Sequence, residues 1–544
     1  MSLATFTVPV PKNEPVLSYL PGSSERKALR SQINEMKSSV LEIPLVIGGM
    51  KVKTGDLGQC TCPHNHQHVL ANYHRASEKE VQAAVEAALA ARKKWQEMPW
   101  EARASIFQRA AELLAVPWRH KLNAATMLSQ SKNVMQAEID AACELIDFFR
   151  FNVFYAQQIS KEQPSSSSGV WNRLEQRALE GFVFAVTPFN FTSIAANLPA
   201  APALMGNVVL WKPASSSVYS GWWLMELFKE AGLPPGIINF LPGKGAVISD
   251  VLLTHRDLAG VHFTGSTRVF QNMWKKIGEN IGNYRSYPRI VGETGGKDFV
   301  FVHKSANVEE VVTALVRGAF EYQGQKCSAA SRCYVPDNLW PTIKKRLIEE
   351  VGKIKMGDVE DFTCLVNAVI DEAAFQRIAK YIDYAKSAPD AEILVGGGYD
   401  DSKGWFIEPT IVETTSPLFK TMEEEVFGPL LTVYVYEANA YDKTLRLCDE
   451  TSPYALTGAI FARDREAIVE ATNILKYAAG NFYINDKPTG AVVGQQPFGG
   501  GRASGTNDKA GSMLNLLRWV SPRTIKENFS PPTSVPYGYM VDDE

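Results

Sequence analysis

The sequence predicts an α/β protein with a doubly wound parallel sheet and a second α/β block that follows it. From residue 181 onward, short apolar segments alternate with helical segments, which is the pattern of parallel strands joined by crossover helices. A second block of the same kind runs from about residue 293 to about residue 504, with GGG at 396–398 and at 499–501. A chain of 544 residues is long enough for two or three domains.

Composition and charge exclude several classes of partner. The chain has 45% hydrophobic and 21% charged residues and a formal net charge of −3. It contains neither a basic stripe nor an apolar run of membrane-spanning length, so we expect neither a nucleic-acid partner nor membrane insertion. Seven unevenly spaced cysteines do not make a disulfide framework and indicate a reducing compartment. The N-terminal residues lack the Arg-rich amphipathic pattern of a transit sequence.

The first part of the chain is predicted to be irregular and then helical. Residues 1–76 are mixed in character and show no clear period. Ser77 begins a helix, and Glu80 three residues later completes a capping box. Helical spacing continues to about Tyr155, and PSSSSG at 164–169 predicts a surface loop or hairpin excursion.

Four buried strands are predicted after this loop. They are GFVFAVT at 181–187, NVVLWKP at 207–213, INFLP at 238–242 and GVHFTGS at 260–266. The helix SGWWLMELFKEAG before the third strand stops at Gly232, with Pro234 just beyond it. Parallel sheets bind ligands beyond the carboxyl ends of their strands, so this architecture favours nucleotide binding without identifying a reaction. The tail shows no helical period after about Val520.

Cys327 and Glu293 are the candidate nucleophile and general base. Cys327 lies in the small, polar, glycine-bearing segment GAFEYQGQKCSAASR at 318–332, where backbone can approach a substrate. Glu293 begins ETGGK directly after an apolar run, and a carboxylate at a strand end beside glycines can act as a base through a water. Taken alone, such a cysteine is more often core filler. Both segments in this order favour catalysis.

Two strand ends are candidate cofactor sites. In FTGST at 263–267, a glycine and two hydroxyls begin a helix whose free N–H groups can hold a pyrophosphate. An ordinary helix N-cap explains this segment equally well. Lys212, at the end of another strand, can reach ribose hydroxyls or phosphate, although an isolated lysine is more often only solvated. The usual three-glycine dinucleotide fingerprint is absent.

Two further segments carry candidate polar groups. Asn190 in TPFNF follows a buried strand, and an amide held between aromatic rings is a preorganised donor to an oxyanion; a turn-forming asparagine is the alternative. Glu425 and Phe427 in EEEVFGPLL can supply a ribose-binding carboxylate and an aromatic wall. The acidic run around them is otherwise typical of a solvated face.

The segment CTCPHNHQH at 60–68 invites a zinc interpretation. Its spacing and the lack of a distant second ligand pair do not match a structural zinc site. Alternating side chains on one strand that leads into Val69 explain the pattern sufficiently. No GxSxG elbow is present, so a serine hydrolase is not supported.

Taken in order, TPFNF, WKPA, FTGST, ETGGK, GQKCSA and EEVFGP resemble the aldehyde dehydrogenase superfamily over nearly the whole chain. The resemblance implies the aldehyde dehydrogenase fold. A Rossmann-like NAD-binding domain would comprise residues 1–159 and 182–292, and an α/β catalytic domain residues 293–503. Small oligomerisation elements would comprise residues 160–181 and 504–544.

The resemblance also implies roles for individual residues. Cys327 would be the nucleophile and Glu293 the base, and Asn190 would form an oxyanion hole with the backbone N–H of Cys327. The residues implied to hold NAD are Thr187, Lys212, Gly265, Ser266, Thr267, Arg268, Val269, Glu425 and Phe427. Those implied to contact substrate are Ser328, Gly490 and Ala491 at an α-carboxylate, Phe191 and Phe498 beside the chain, and Glu144 nearby. No metal is implied.

Further segments, including ALMGNVVLWKP, AGNFYIND and VVGQQPFGG, resemble superfamily members that act on L-glutamate 5-semialdehyde. The implied reaction is its NAD-dependent oxidation to L-glutamate through a cysteine thiohemiacetal and a thioester, the second step of proline catabolism. Two alternatives stay open: a dehydrogenase for another acidic semialdehyde, and a paralogue that keeps the fold without turnover. A homodimer and a mitochondrial matrix location are also implied.

Overall fold

The computed structural model describes residues 6–540. The two largest sheets of this part of the chain have seven strands each. The first sheet has five parallel strands and an antiparallel hairpin at one edge. In spatial order its strands are Arg289–Glu293, Leu258–Thr264, Phe182–Val186, Val208–Lys212, Ile238–Phe240, Leu45–Ile47 and Met50–Val52.

The predicted strands and helix ends are confirmed here. The strand Phe182–Val186 buries both of its faces, because helices cover the sheet on either side. The helix Glu78–Glu97 begins with the predicted capping box of Ser77 and Glu80. The helix Val218–Ala231 ends at Gly232, whose φ of 95° requires the left-handed conformation that glycine adopts without strain.

Helices dominate the first 280 residues. The α-helices are Ser24–Lys37, Glu78–Glu97, Trp100–Ala115, Arg119–Gln130, Val134–Ala137, Leu145–Lys161, Thr192–Leu204, Val218–Ala231, Gly245–Leu252 and Thr267–Glu279. A π-helical segment at Glu138–Glu144 joins two of them, so the helical run predicted to end near Tyr155 is interrupted and extends to Lys161. π-helical turns are rare and often occur at functional sites.

The prediction that residues 1–76 are irregular is wrong. The helix Ser24–Lys37 begins after the N-cap Ser23 and buries Leu29, Ile33 and Met36 on one face. Few apolar residues mark this helix, because most of its surface is exposed and charged. A three-stranded sheet follows, with Leu41–Ile43, Asn65–His74 and Leu57–Cys62 in that order.

The segment CTCPHNHQH is a hairpin and not the single strand that was predicted. The strand Leu57–Cys62 pairs antiparallel with Asn65–His74, and the chain turns at Pro63 and His64. The chain reverses its direction at this turn. The alternating side chains in the sequence show no sign of the turn, because the alternation continues through it. Within residues 6–540, no group of three or more His, Cys, Asp or Glu side chains is placed to hold a metal ion.

The second sheet contains the strand that follows the candidate nucleophile. Its order is Ala391–Val395, Thr410–Thr414, Leu430–Tyr436, Ala330–Pro336, Asp298–Val302, Thr457–Phe461 and Asn481–Ile484, and only the first pair is antiparallel. Its helices are Val308–Phe320, Trp340–Gly352, Glu372–Ser387, Lys420–Glu423, Tyr441–Glu450 and Arg465–Ile474, whereas the helix Met513–Leu517 packs in the core of the first sheet through Leu516. Short two-stranded pairs are Tyr399–Asp400 with Phe406–Ile407 and Tyr454–Ala455 with Gly501–Arg502.

A separate ribbon pairs the predicted loop excursion with the tail. The strand Val170–Ala178 lies antiparallel to Val520–Asn528. Trp519, immediately before the ribbon, is fully buried in the core of the first sheet. Among residues 6–540, no helix combines the length and apolar character needed to span a membrane.

Candidate active site

Residues 294–297 join the two sheets and bring their strand ends together. Glu293 ends an edge strand of the first sheet, and Asp298 begins a strand of the second. The backbone N–H of Gly296 donates to Glu425 Oε1 at 2.8 Å. A Cβ on Gly296 would overlap the carbonyl oxygen of Cys327. The glycines therefore allow this segment to lie directly against the segment that carries the cysteine.

The cysteine segment is held in place by buried amides. The helix Val308–Phe320 ends in a tight turn where Gln323 has a φ of 54°, in the left-handed region. Gln323 Nε2 donates to the carbonyl oxygens of Ser131 at 3.0 Å and Ala368 at 2.7 Å. Gln325 Oε1 accepts from the backbone N–H of Ile370 at 2.9 Å. These hydrogen bonds offset the cost of the strained backbone and fix the conformation of the segment that leads to Cys327.

Asn190 contacts this same segment. Its side chain is buried, and Nδ2 donates to the backbone carbonyl of Gln325 at 3.1 Å. Its two aromatic neighbours pack apart from each other, since Phe189 contacts Phe427 while Phe191 lies under the ammonium of Lys132. The amide is thus oriented chiefly by its hydrogen bond.

One cavity collects the predicted nucleophile, base and substrate-contacting residues. Of the seven cysteines, Cys327 alone is partly rather than fully buried, and it lines this cavity. The other predicted residues that line it are Glu144, Phe191, Glu293, Ser328, Gly490, Ala491 and Phe498. The Ser328 and Thr489 hydroxyl oxygens lie 2.8 Å apart, which ties the cysteine segment to the loop at 487–496, hereafter the cavity loop.

The cavity perturbs both candidate reactive groups. Burial raises the pKa of the Cys327 thiol well above its usual range, and the carboxylates of Asp298, Glu293 and Glu425 add to this. Burial likewise raises the pKa of Glu293, opposed by the ammonium of Lys509. Among the described residues, Glu293 Oε2 has no hydrogen-bond partner, so it is available to a water or a substrate.

The helix Thr267–Glu279 presents a free N-terminus beside this region. Its N-cap Ser266 makes no capping hydrogen bond, and Gly265 donates its N–H to the carbonyl of Glu293 at 3.2 Å. Thr267 Oγ1 accepts from the N–H of Gly295 at 3.3 Å. Arg268 and Val269 lie exposed on the first helical turn.

Lys212 and Thr187 lie at the carboxyl ends of adjacent strands in the first sheet. Burial lowers the pKa of Lys212 to about 8. A Cβ on Gly245, at the start of the helix Gly245–Leu252, would lie 4.0 Å from Lys212 Cε. The Thr187 hydroxyl is engaged structurally, since it accepts from Trp211 Nε1 at 2.9 Å.

These strand ends fit an anionic dinucleotide. Two helix N-termini, at Gly245 and Thr267, offer N–H groups, and Lys212 supplies a positive charge at a strand end close to Gly245. Glu425 approaches the same region from the second sheet through its bond to Gly296. Phe427 adds an aromatic ring and adopts a φ of 53°, in the left-handed region.

Several charged residues near the cavity were missed from the sequence. Lys326, directly before Cys327, pairs with Glu321 at 3.0 Å, and Lys487 Nζ donates to the carbonyl of Thr489 at 3.0 Å. Lys297 is buried without a hydrogen-bond partner among the described residues, and burial lowers its pKa to about 7. Of these residues, Lys326 could have been found from the sequence, because it directly precedes the candidate nucleophile.

A buried ion pair at the wall of the cavity, which Asp140 lines, was also missed. Lys132 Nζ lies 2.6 Å from Asp140 Oδ2, and both side chains are fully buried. Asp140 accepts from the N–H groups of Thr192 and Ser193, both at 2.9 Å, and so caps the helix that follows Asn190. Eight residues separate the partners, and nothing local indicates that they meet.

A family model described as the aldehyde dehydrogenase family matches residues 52–525. Delta-1-pyrroline-5-carboxylate dehydrogenase, mitochondrial, from Dictyostelium discoideum is 55% identical over 99% of this chain and 98% of that protein. The Homo sapiens protein of the same name is 50% identical over 97% and 94%. The NAD-bound crystal structure of the Mycobacterium tuberculosis Delta-pyrroline-5-carboxylate dehydrogenase is 51% identical, with a TM-score of 0.96 over 99% of this chain and 100% of that one.

Proposed function

The chain belongs to the aldehyde dehydrogenase family, and from that premise we propose that it oxidises L-glutamate 5-semialdehyde to L-glutamate with NAD. This is the second step of proline catabolism. One observation carries the proposal most strongly: Cys327 and Glu293 line a single cavity, and Asn190 is bonded to the segment that presents the cysteine.

Cys327 is proposed to attack the aldehyde carbon. The thiol first gives its proton to solvent water, and the resulting thiolate forms the carbon–sulfur bond while the carbonyl electron pair moves to oxygen, which gives a thiohemiacetal oxyanion. Asn190 Nδ2 carries two N–H bonds, of which one is used by Gln325. The second can donate to the oxyanion together with the backbone N–H of Cys327, and such preorganised donors stabilise developing charge.

The residues at the carboxyl ends of the first sheet are proposed to hold NAD. Lys212 and the first turn of the helix Thr267–Glu279 would bind its phosphates and ribose, and Glu425 its second ribose. Thr187, Gly265 to Val269 and Phe427 complete the proposed groove. When bound, NAD supplies the hydride acceptor that converts the thiohemiacetal to a thioester.

Glu293 is proposed to complete the reaction as a base. Its raised pKa and its Oε2, which has no hydrogen-bond partner within residues 6–540, suit a carboxylate that takes a proton from a water. The resulting hydroxide adds to the thioester carbon, the carbon–sulfur bond breaks, and the acid leaves as Cys327 is restored.

The cavity loop is proposed to recognise the α-carboxylate of the substrate. Gly490 and Ala491 line the cavity and would supply their backbone N–H groups, and the Ser328 hydroxyl lies 2.8 Å from that of Thr489 in the same loop. Gly490 has a φ of 94°, so its conformation favours glycine. Phe191 and Phe498 would flank the carbon chain, with Glu144 at the same cavity.

NADH formation with L-glutamate 5-semialdehyde tests this function. We expect kcat/KM for this substrate to exceed that for the shorter succinate semialdehyde, because the cavity loop would grip only the matching carboxylate. A higher kcat/KM for succinate semialdehyde would transfer the assignment to another acidic semialdehyde.

Assembly as a homodimer is also proposed, with residues 160–181 and 504–544 at the interface, of which 541–544 lie outside the described residues. The ribbon of Val170–Ala178 and Val520–Asn528 pairs with no third strand within residues 6–540, and Trp171 on it is 50% exposed. A two-stranded ribbon is marginally stable alone, which supports its being covered by a second subunit. Several relatives are named mitochondrial, and this supports a mitochondrial matrix location.

A further inference from the structure

Asn13 links the N-terminal segment to both a helix and the cavity loop. Its Nδ2 donates to Asp147 Oδ2 at 2.7 Å and to the backbone carbonyl of Val493 at 2.8 Å. Its Oδ1 accepts from Gln495 Nε2 at 2.9 Å. One side-chain amide therefore bridges the helix Leu145–Lys161 and two residues of the loop.

The N-terminal segment is itself firmly held, although residues 6–20 contain no helix or strand. Glu14, next to Asn13, pairs with Arg119 at 2.6 Å and with Arg150 at 2.7 Å. The backbone N–H of Glu14 donates to Asp147 Oδ1 at 2.7 Å. Asn13 is thus fixed from its own side and can constrain what it binds.

The cavity loop packs tightly where Asn13 meets it. Val493 is buried and lines the cavity together with Ala491. A Cβ on Gly494 would overlap the ring of Phe151 on the helix Leu145–Lys161. The bond from Asn13 to Val493 therefore fixes the loop close to its tightest contact with this helix.

We propose that Asn13 is a positioning residue that holds the cavity loop in the conformation that binds the substrate's α-carboxylate. This rests on the proposed function, because it assigns the carboxylate to the N–H groups of Gly490 and Ala491. Asn13 does not line the cavity and acts through Val493 and Gln495. Preorganisation of the loop lowers the ordering cost of binding.

The proposal predicts a loss of affinity confined to substrates that carry the carboxylate. Asn13→Ala should raise KM for L-glutamate 5-semialdehyde about 3- to 10-fold, the effect of losing one or two hydrogen bonds, with kcat nearly unchanged. Pentanal has the same number of carbons without the carboxylate, and its kcat/KM should not change. Lys12→Ala, at the exposed neighbouring position, is the matched control and should behave as wild type.

Two further variants keep the test decisive. Asn13→Asp retains the acceptor for Gln495 but loses both donated bonds and sets a second carboxylate against Asp147, so it should raise KM at least as much as Asn13→Ala. Gln495→Ala alters an exposed side chain and is compatible with folding, so it should raise KM to a smaller degree even where Asn13 variants do not fold.

Two results would overturn the proposal: unchanged KM in these variants, or an equal fall in kcat/KM for both aldehydes, which would indicate general damage. Failure of the wild-type protein to oxidise L-glutamate 5-semialdehyde would instead refute the proposed function.

Discussion

The side-chain amide of Asn190 donates to the backbone carbonyl of Gln325, with 3.1 Å between Nδ2 and the oxygen. Gln325 lies two residues before Cys327, so this bond sets the amide against the segment that carries the proposed nucleophile. Asn190 follows a strand of the first sheet, whereas Cys327 precedes a strand of the second. The bond therefore couples the two sheets at the proposed reaction centre.

Asn190→Ala should lower both kcat and kcat/KM about 100- to 1,000-fold, the usual cost of losing one oxyanion donor. The reason is that the amide would act only when charge develops on the oxygen. Steady-state NADH formation measures both constants. A variant with raised KM and wild-type kcat would show that Asn190 binds ground-state substrate instead.

Glu293→Gln should separate the two halves of the reaction. Glutamine keeps the shape of glutamate but cannot accept a proton, so the thioester would accumulate. We expect an NADH burst of about one equivalent per subunit, followed by turnover slowed about 100- to 10,000-fold. Rapid-mixing absorbance measures both phases. Glu279→Gln, at an exposed helix position, is the control. If Glu293→Gln turned over slowly without a burst of NADH, a role of Glu293 in hydrolysis would be contradicted.

NAD affinity should fall as pH rises because burial lowers the pKa of Lys212 to about 8. Above that pH the free protein loses the positive charge that would bind the cofactor, so Kd should rise about tenfold from pH 7 to pH 9. Lys212→Arg stays charged throughout and should flatten the dependence. Calorimetric titration of NAD at each pH measures it. An equally steep profile in both proteins would remove Lys212 from the cofactor site.

Lys132→Ala should destabilise the protein by about 3–5 kcal/mol, because it leaves the buried carboxylate of Asp140 without its cation. Lys93→Ala is the matched control, since Lys93 is 86% exposed in its pair with Glu97 and should cost at most about 1 kcal/mol. Urea unfolding followed by tryptophan fluorescence compares the two variants. Equal midpoints would show that the buried pair contributes nothing.

The first sheet could be predicted from the sequence, and the candidate nucleophile singled out, because their signals are local. The strand Phe182–Val186 is a continuous apolar run in the sequence. Gly232 directly follows the helix Val218–Ala231 and marks its end. Cys327 and Glu293 were recognised by their own flanking residues, and the cavity then brings them together.

Contacts across long stretches of chain could not be predicted in this way. Asn13 meets Asp147 and Val493, which lie 134 and 480 positions away, and an asparagine in an irregular segment carries no signal of either partner. The hairpin at Pro63 was missed because two short paired strands show the same alternation of side chains in the sequence as one long strand.

Replacement of Cys327 by alanine tests the covalent mechanism most directly. With L-glutamate 5-semialdehyde and NAD, wild-type protein should form NADH, and Cys364→Ala, which alters a buried cysteine outside the cavity lining, should do so at a similar rate. Cys327→Ala should form none above background, because among the described residues Cys327 is the one cysteine that lines the cavity. NADH formation by Cys327→Ala at the wild-type rate would contradict the account.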